Sequence, residues 1–261
     1  MRSAPFDRER NAVMADNGID LKLRRQELAR DNGFATWNTI TTETRWEPER
    51  TALVLCDIWD AHWCRGAVER LNALTPRMNE VAAACRSRGV LIVHAPSDTL
   101  DFYRDTPVVK RTESVPSVDT PPDLDLPDPP LPVDASDEGA DTGETETFSA
   151  WSRQHPDIVI DQERDLMSDS GAQVYACFRH YGIRNMLMMG VHTNMCILHR
   201  TFGIKQMVRW GVPVALVRDL TDAMYNPAMP PYVSHDEGTR LVVAFIEKHW
   251  CPTVHSSDML S

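Results

Sequence analysis

The chain has 261 residues, of which 27 are Lys or Arg and 38 are Asp or Glu, giving a formal net charge of -11. That length can bury a real hydrophobic core, and 42% hydrophobic with 25% charged residues excludes a chain disordered throughout. No apolar run is long enough to predict a transmembrane helix, and the opening MRSAPFDRERNAVMADNGID lacks the apolar centre of a secretory signal, so a cytoplasmic location is expected.

Residues 1–50 read as a peripheral N-terminal extension: LKLRRQELAR predicts a short helix and TWNTITTETRW an irregular or β segment. The main domain is expected over 51–261. TALVLCD at 51–57 is a continuous apolar run ending in an acid, as in a buried parallel strand. Residues 67–89 repeat apolar positions at helical spacing and stop at Gly89, a natural C-terminal cap, with Pro76 predicting a kink or a start near Thr75. VLIVHAP at 90–96 is a second strand. Between Thr112 and Phe148 lie eleven acids, seven prolines and no base, so the rest of the chain is electrically neutral. Such a stretch buries too little apolar surface to offset its ordering entropy, and predicts an exposed, extended insertion. Next come a strand at 157–161 (DIVID), a helix from about Ser170 to Tyr181, and a strand at 185–191 (NMLMMGV). A helix from Asn194 to about Trp210 follows, then a strand at 212–219, a helix from about Asp236 to His249 and a weak strand at 252–256. This rhythm defines an α/β fold, a Rossmann-like parallel sheet with helices on both faces.

The acidic balance argues against nucleic acid, since no basic face stands out to neutralise phosphates. Patterns for dinucleotide binding, a phosphate loop or a serine-hydrolase elbow do not occur, so no cofactor is implied. The partner expected is a small-molecule substrate, not a membrane. Cys56, Cys64, Cys85, Cys177, Cys196 and Cys251 show no CxxC spacing and read as free thiols, mostly small core residues.

In an open parallel sheet the ligand crevice lies beyond the carboxyl ends of the strands. Asp57 ends the first strand there, and GVHTNMC (190–196) leaves a later strand through His192 and Thr193 to put Cys196 in the first turn of a helix, capped by Thr193 or Asn194. A helix N-terminus stabilises a thiolate, and its N–H groups suit an oxyanion. Asp57 is the candidate base. The alternative is that Cys196 packs silently against the sheet, as Cys56, Cys85 and Cys177 are expected to do.

The strand ending in Asp57, the GVHTNMC segment and the VRDLTDA run together resemble the isochorismatase-like cysteine hydrolases, a family of nicotinamidases, N-carbamoylsarcosine amidases, biuret hydrolases and isochorismatases. The resemblance covers roughly residues 50 to 256. It implies a sheet of about six strands, a homo-oligomer of two or four subunits, and an Asp–Lys–Cys triad. Cys196 would then attack an amide carbonyl and Asp57 would relay protons. The Val191–His192 peptide matches the family's non-proline cis bond, and the N–H groups of His192 and Cys196 would form the oxyanion hole. At the lysine position the count lands on Glu163, beside Arg164, and no lysine lies between Lys110 and Lys205. Glu163 is therefore entered as the third catalytic position. The resulting expectation is hydrolysis of a C–N bond in a small amide, ureido or carbamoyl compound through an acyl-enzyme. The alternatives are ether hydrolysis of the isochorismatase type without a covalent intermediate, and a catalytically inactive ligand-binding relative.

Trp59, Trp63, His94, Asp98 and Tyr103 follow strand ends and are the candidate substrate contacts, with packing or a capping box as the alternative roles. His62 with Asp98 or Asp101 matches no closed zinc motif, so no metal is assigned.

Overall fold

The computed structural model describes residues 17–261, so most of the opening segment examined for a signal lies outside the described residues. The first element is a long antiparallel hairpin of β1 (Ile19–Asp31) and β2 (Phe34–Trp46). The helix predicted at LKLRRQELAR is instead part of β1. Asn32 and Gly33 both take positive φ (47° and 87°), the two-residue Asn-Gly turn whose twist matches paired strands, and the hairpin register outweighs the helical propensity of the Leu, Arg and Glu residues.

β3 (Thr51–Cys56) is buried at every position, and α1 (Arg65–Arg88) then runs unbroken through Pro76 to Gly89, which caps it in the left-handed conformation (φ 96°). The predicted start near Thr75 does not occur. β4 (Leu91–Ala95) leads to α2 (Pro107–Glu113), whose last turn takes in the first two residues of the acidic insertion; the rest of the insertion has neither helix nor strand. DIVID forms no strand: the side chain of Asn79 accepts from the Val159 N–H and donates to the Asp157 carbonyl, and Val159 is exposed. The sheet edge is taken by the fully buried pair Leu166–Met167 (β5). α3 (Gly171–Tyr181) begins at the Ser170 cap and is followed by β6 (Asn185–Val191).

The single helix predicted over 194–210 is two, α4 (Cys196–His199) and α5 (Ile204–Arg209), broken at Arg200, whose ψ of 155° is extended. β7 (Val214–Asp222), α6 (His235–His249) and β8 (Thr253–Val254) complete the chain. No helix among the described residues is long and apolar enough to cross a membrane.

The sheet order is β2-β1-β8-β7-β6-β3-β4-β5, six parallel strands from β8 to β5 with the hairpin added antiparallel at one edge. Side chains alternate between faces along each strand. Leu53 and Leu55 of β3 join Leu71, Met78 and Val81 of α1, while Ala52, Val54 and Cys56 join Val174 and Phe178 of α3 and Val242 and Ile246 of α6. The fold is thus a parallel sheet covered on both faces, and β3 and β6 form the central pair from which the strand order runs outward in both directions. Cys56 is paired with Gly190 across that pair, which puts the residues leaving both strands at the topological switch point.

Beneath β4 lies a buried polar cluster. The His94 ring bridges Gln154 and Asp165, at 3.0 Å to each, and Asp165 also takes two hydrogen bonds from Arg86. Burial alone would raise the Asp165 carboxyl, but hydrogen bonds from His94 and Arg86 outweigh it and hold it down at about 2. A depressed carboxylate contributes stability that is complete above its ordinary range and is lost as pH falls toward the folded value. Urea midpoints are expected to show about 2 kcal/mol lost through this group between about pH 4 and pH 2, and Asp165→Asn should flatten that limb. An unchanged acid limb in the variant would refute the assignment.

Candidate active site

Asp57 follows β3 with a left-handed backbone (φ 47°), a conformation that Asp tolerates better than most residues, and is completely buried. One carboxylate oxygen accepts the Ser97 N–H at 2.8 Å, and the other accepts from Nε of Arg200 at 2.8 Å. The Cys196 thiol lies beside the same carboxylate and favours its ionised form, and the His192 backbone N–H lies near the sulfur and favours its anion. Cys196 is half-buried. Gly190 brings β6 close enough for this meeting, because a Cβ there would lie 2.0 Å from the Cys56 carbonyl oxygen. The Val191–His192 peptide is cis.

The loop carrying Cys196 is held from below rather than capped by its own polar residues. The Thr193 hydroxyl pairs with Thr221 at 2.7 Å, and the Asn194 amide exchanges two hydrogen bonds with the Met224 backbone. Met195 occupies the cap position of α4, without a side-chain cap, where Thr193 or Asn194 was expected. With only four residues, α4 has little dipole to lend a thiolate. Burial first, and the Asp57 charge second, push the Cys196 thiol up to about 12, with Arg200 and the His192 N–H opposing. At rest the site holds a neutral thiol beside the Asp57 carboxyl group, the reverse of the lowered pKa predicted from the helix terminus. Burial also raises Asp57, against the opposing charge of Arg200 and the neighbouring Cys196 thiol and Ser97 N–H.

One wall beside these groups is aromatic. Trp59 stacks on Trp151 (4.1 Å between centroids, 7° between planes) and donates its indole N–H to the Ser97 carbonyl at 3.0 Å. His62 packs between Trp59, Trp63 and Trp151 and meets His192 edge-on at 5.0 Å. Burial holds His62 down to about 4 and, with His62 itself, His192 down to about 3, so both rings are neutral at physiological pH. Trp151 arrives from the far end of the acidic insertion, where Asp60 fastens the chain by accepting from the Ser152 N–H and hydroxyl and the Arg153 N–H.

Asp57, Cys196, His192, Trp59 and Trp63 are therefore gathered in one region, with Asp98 at its rim, exposed and 3.3 Å from the second guanidinium nitrogen of Arg200. Three other predicted positions are not gathered there. Glu163 is exposed in the turn before β5, where its N–H donates to Asp161, and Arg164 is paired with Asp161 too, so neither is shown in contact with Asp57 or Cys196. His94 is engaged under the sheet by Asp165 and Gln154, and the Tyr103 hydroxyl accepts the Gln154 N–H. Sequence reasoning missed Arg200 and Trp151. Four-residue spacing from Cys196 was the available signal for Arg200, whereas nothing local marks Trp151. No group of three or more His, Cys, Asp or Glu among the described residues is arranged to hold a metal ion.

No protein-family model and no curated protein matches the chain. Among solved structures it is similar to a cysteine hydrolase from Pseudomonas syringae pv. phaseolicola 1448A, at 16% identity over 83% of this chain and 94% of that one, with a TM-score of 0.51. It is also similar to an isochorismatase from Pseudomonas putida KT2440 (9% identity, 81% and 90% of the two chains, TM-score 0.49). A third is a pyrazinamidase of Pyrococcus horikoshii solved in complex with zinc (17% identity, 79% and 99%, TM-score 0.41). The chain has the isochorismatase-like fold.

Proposed function

We propose that the protein is a cysteine hydrolase that cleaves a C–N bond of a small amide, ureido or carbamoyl compound. The observation that carries this reading is the Cys196 thiol set beside the buried Asp57 carboxylate, with the His192 N–H near the same sulfur. A nucleophile beside its base is the arrangement covalent acyl transfer requires. Since the resting thiol is neutral, its proton passes to Asp57 as the S–C bond forms at the substrate carbonyl, and the carbonyl oxygen takes the negative charge. The N–H groups of His192 and Cys196 are the donors assigned to that oxyanion. The C–N bond then breaks as Asp57 returns the proton to the departing nitrogen. Water attacks the thioester, Asp57 takes one of its protons, the acid leaves and the thiol is restored. Trp59, Trp63 and the neutral rings of His62 and His192 supply an apolar wall for the substrate.

The test is ammonia release from a panel of small primary amides, ureas and carbamoyl compounds. The wild type is expected to turn over at least one of them, and Cys196→Ala to fall to background with its circular dichroism unchanged. Full turnover by Cys196→Ala would overturn the acyl-enzyme and leave hydrolysis without a covalent intermediate.

A further inference from the structure

The position where the resembling family carries its lysine is occupied here by the exposed Glu163, yet the buried Asp57 is not without a cation. Arg200 reaches it from the other side of the site. The break between α4 and α5 falls at Arg200, and Gly203, where a Cβ would sit 2.8 Å from the Arg200 carbonyl oxygen, allows the tight turn that follows. The guanidinium consequently points back along α4. Its Nε donates to Asp57 at 2.8 Å, a second nitrogen meets Asp98 at 3.3 Å, and its carbon lies 5.8 Å from the centre of the Trp59 ring. It is held on three sides, and its side chain is 30% exposed.

Resting on the cysteine-hydrolase reading above, we infer that Arg200 is the positioning cation of this site: it keeps Asp57 ionised and aimed at Cys196, and it does so from the helix of the nucleophile instead of from the edge strand. Among the described residues the charged and titratable groups facing Asp57 and Cys196 are few. They are Cys56 beneath them on β3, Arg200 on the turn after α4, and Asp98 beyond Arg200. Arg200 is the one cation among them. Its charge favours both the Asp57 carboxylate and the Cys196 thiolate, while burial works against its own charge and its anionic partners, Asp57 first, outweigh burial and raise its pKa above the ordinary value. A guanidinium so placed cannot shuttle a proton. The consequence is a division of labour in which Asp57 alone moves protons and Arg200 supplies only a fixed charge and a fixed direction.

The experiment is the rate of iodoacetamide alkylation of Cys196, followed by peptide mass across pH 6 to 10 in the full chain, for wild type, Arg200→Gln and Arg200→Lys. Cys196→Ala identifies the peptide. Removing the charge is expected to move the rate–pH curve at least one unit to higher pH, about a tenfold slower reaction at a fixed pH on the rising limb. Arg200→Lys should recover at least half of that displacement. The direction of the change is the readout, because greater access to sulfur would speed alkylation, whereas loss of the charge slows it. Superimposable curves for wild type and a folded Arg200→Gln overturn the inference, as does a lysine variant no better than glutamine. Should Arg200→Gln fail to fold, Asp98→Asn carries the test: removal of this competing anion at the rim is expected to move the curve to lower pH, and an unmoved curve overturns the inference. Failure of the hydrolase reading looks different, since wild-type Cys196 would then show no ammonia release whatever the curves of the variants.

Discussion

Asp57→Asn is expected to stop turnover while leaving the melting temperature at or above that of the wild type. Loss of the general base alone removes a factor of about 10² to 10⁴ in rate. The effect on stability follows from the direction in which burial moves the carboxyl. Its folded pKa lies above the ordinary value, so the fold binds that proton more tightly than the unfolded chain does. The contribution to stability is therefore complete at low pH and is lost as pH rises through the folded pKa. Above its folded pKa the ionised Asp57 costs the fold stability, and a neutral amide of the same shape does not. Asparagine also accepts the left-handed backbone, and its oxygen can still take the Ser97 N–H. Against this stands the loss of an anion for Arg200, softened by its partial exposure and its second contact with Asp98. Thermal unfolding at pH 7, with ammonia release measured on the same preparation, checks both halves. A clear fall in melting temperature would mean that the Asp57–Arg200 pair is net stabilising.

Gly190→Ala is expected to be severely destabilising. A Cβ there meets the Cys56 carbonyl oxygen at 2.0 Å and the Cys56 nitrogen at 2.9 Å, and the φ of 127° is one that side chains rarely adopt. Both obstacles are backbone, so no rotamer change relieves them. The cost should exceed about 4 kcal/mol, the range reserved for core overpacking combined with a forbidden backbone angle. Gly89→Ala is the control. Its φ is 96°, but nothing lies within 4 Å of the added carbon, and only the conformational penalty of about 1–2 kcal/mol applies. Denaturant midpoints for the two variants separate the effects. Similar losses would show that strand crowding at Gly190 relaxes easily. Because Cys56 directly precedes Asp57, any folded Gly190→Ala protein should also lose activity through displacement of the base.

Much of this architecture was legible because it is written locally. The apolar runs of β3, β4 and β6, the Gly89 stop and the Ser170 start are decided by residues within a few positions of each other, and so is the delivery of Asp57 and Cys196 to strand ends. The errors fall where distant contacts decide. LKLRRQELAR carries good helix formers, and only pairing across the Asn32–Gly33 turn makes it a strand. DIVID has the composition of a strand but loses its backbone partners to Asn79, while Leu166–Met167 takes the edge. Arg200 was passed over although its four-residue spacing puts it on the Cys196 face of a helix, because no local residue signals that its guanidinium pairs with Asp57, 143 positions earlier in the chain. Glu163 was found by counting along the chain, and the turn that exposes it is made by Asp161, which accepts from the N–H groups of both Glu163 and Arg164.

The acidic insertion was expected to be merely exposed, and its attachments give it another meaning. Asp128 pairs with Lys205 and Arg209, which both lie over the Trp250 ring, and Asp123 accepts from Gln206. Asp137 takes the Asn226 amide, and Asp141 closes on Arg70, which also binds Asp222 beside His235. Cutting residues 112–148 away would leave a body without net charge but not an evenly balanced surface. It would strip the counterions from Lys205 and Arg209 and half the coordination from Arg70, leaving a surface with cations turned outward in the segment's footprint. The segment is in effect a covalently tethered polyanion, matched in sign and position to the body on which it lies, and a transplanted linker of equal length but neutral composition would not take its place.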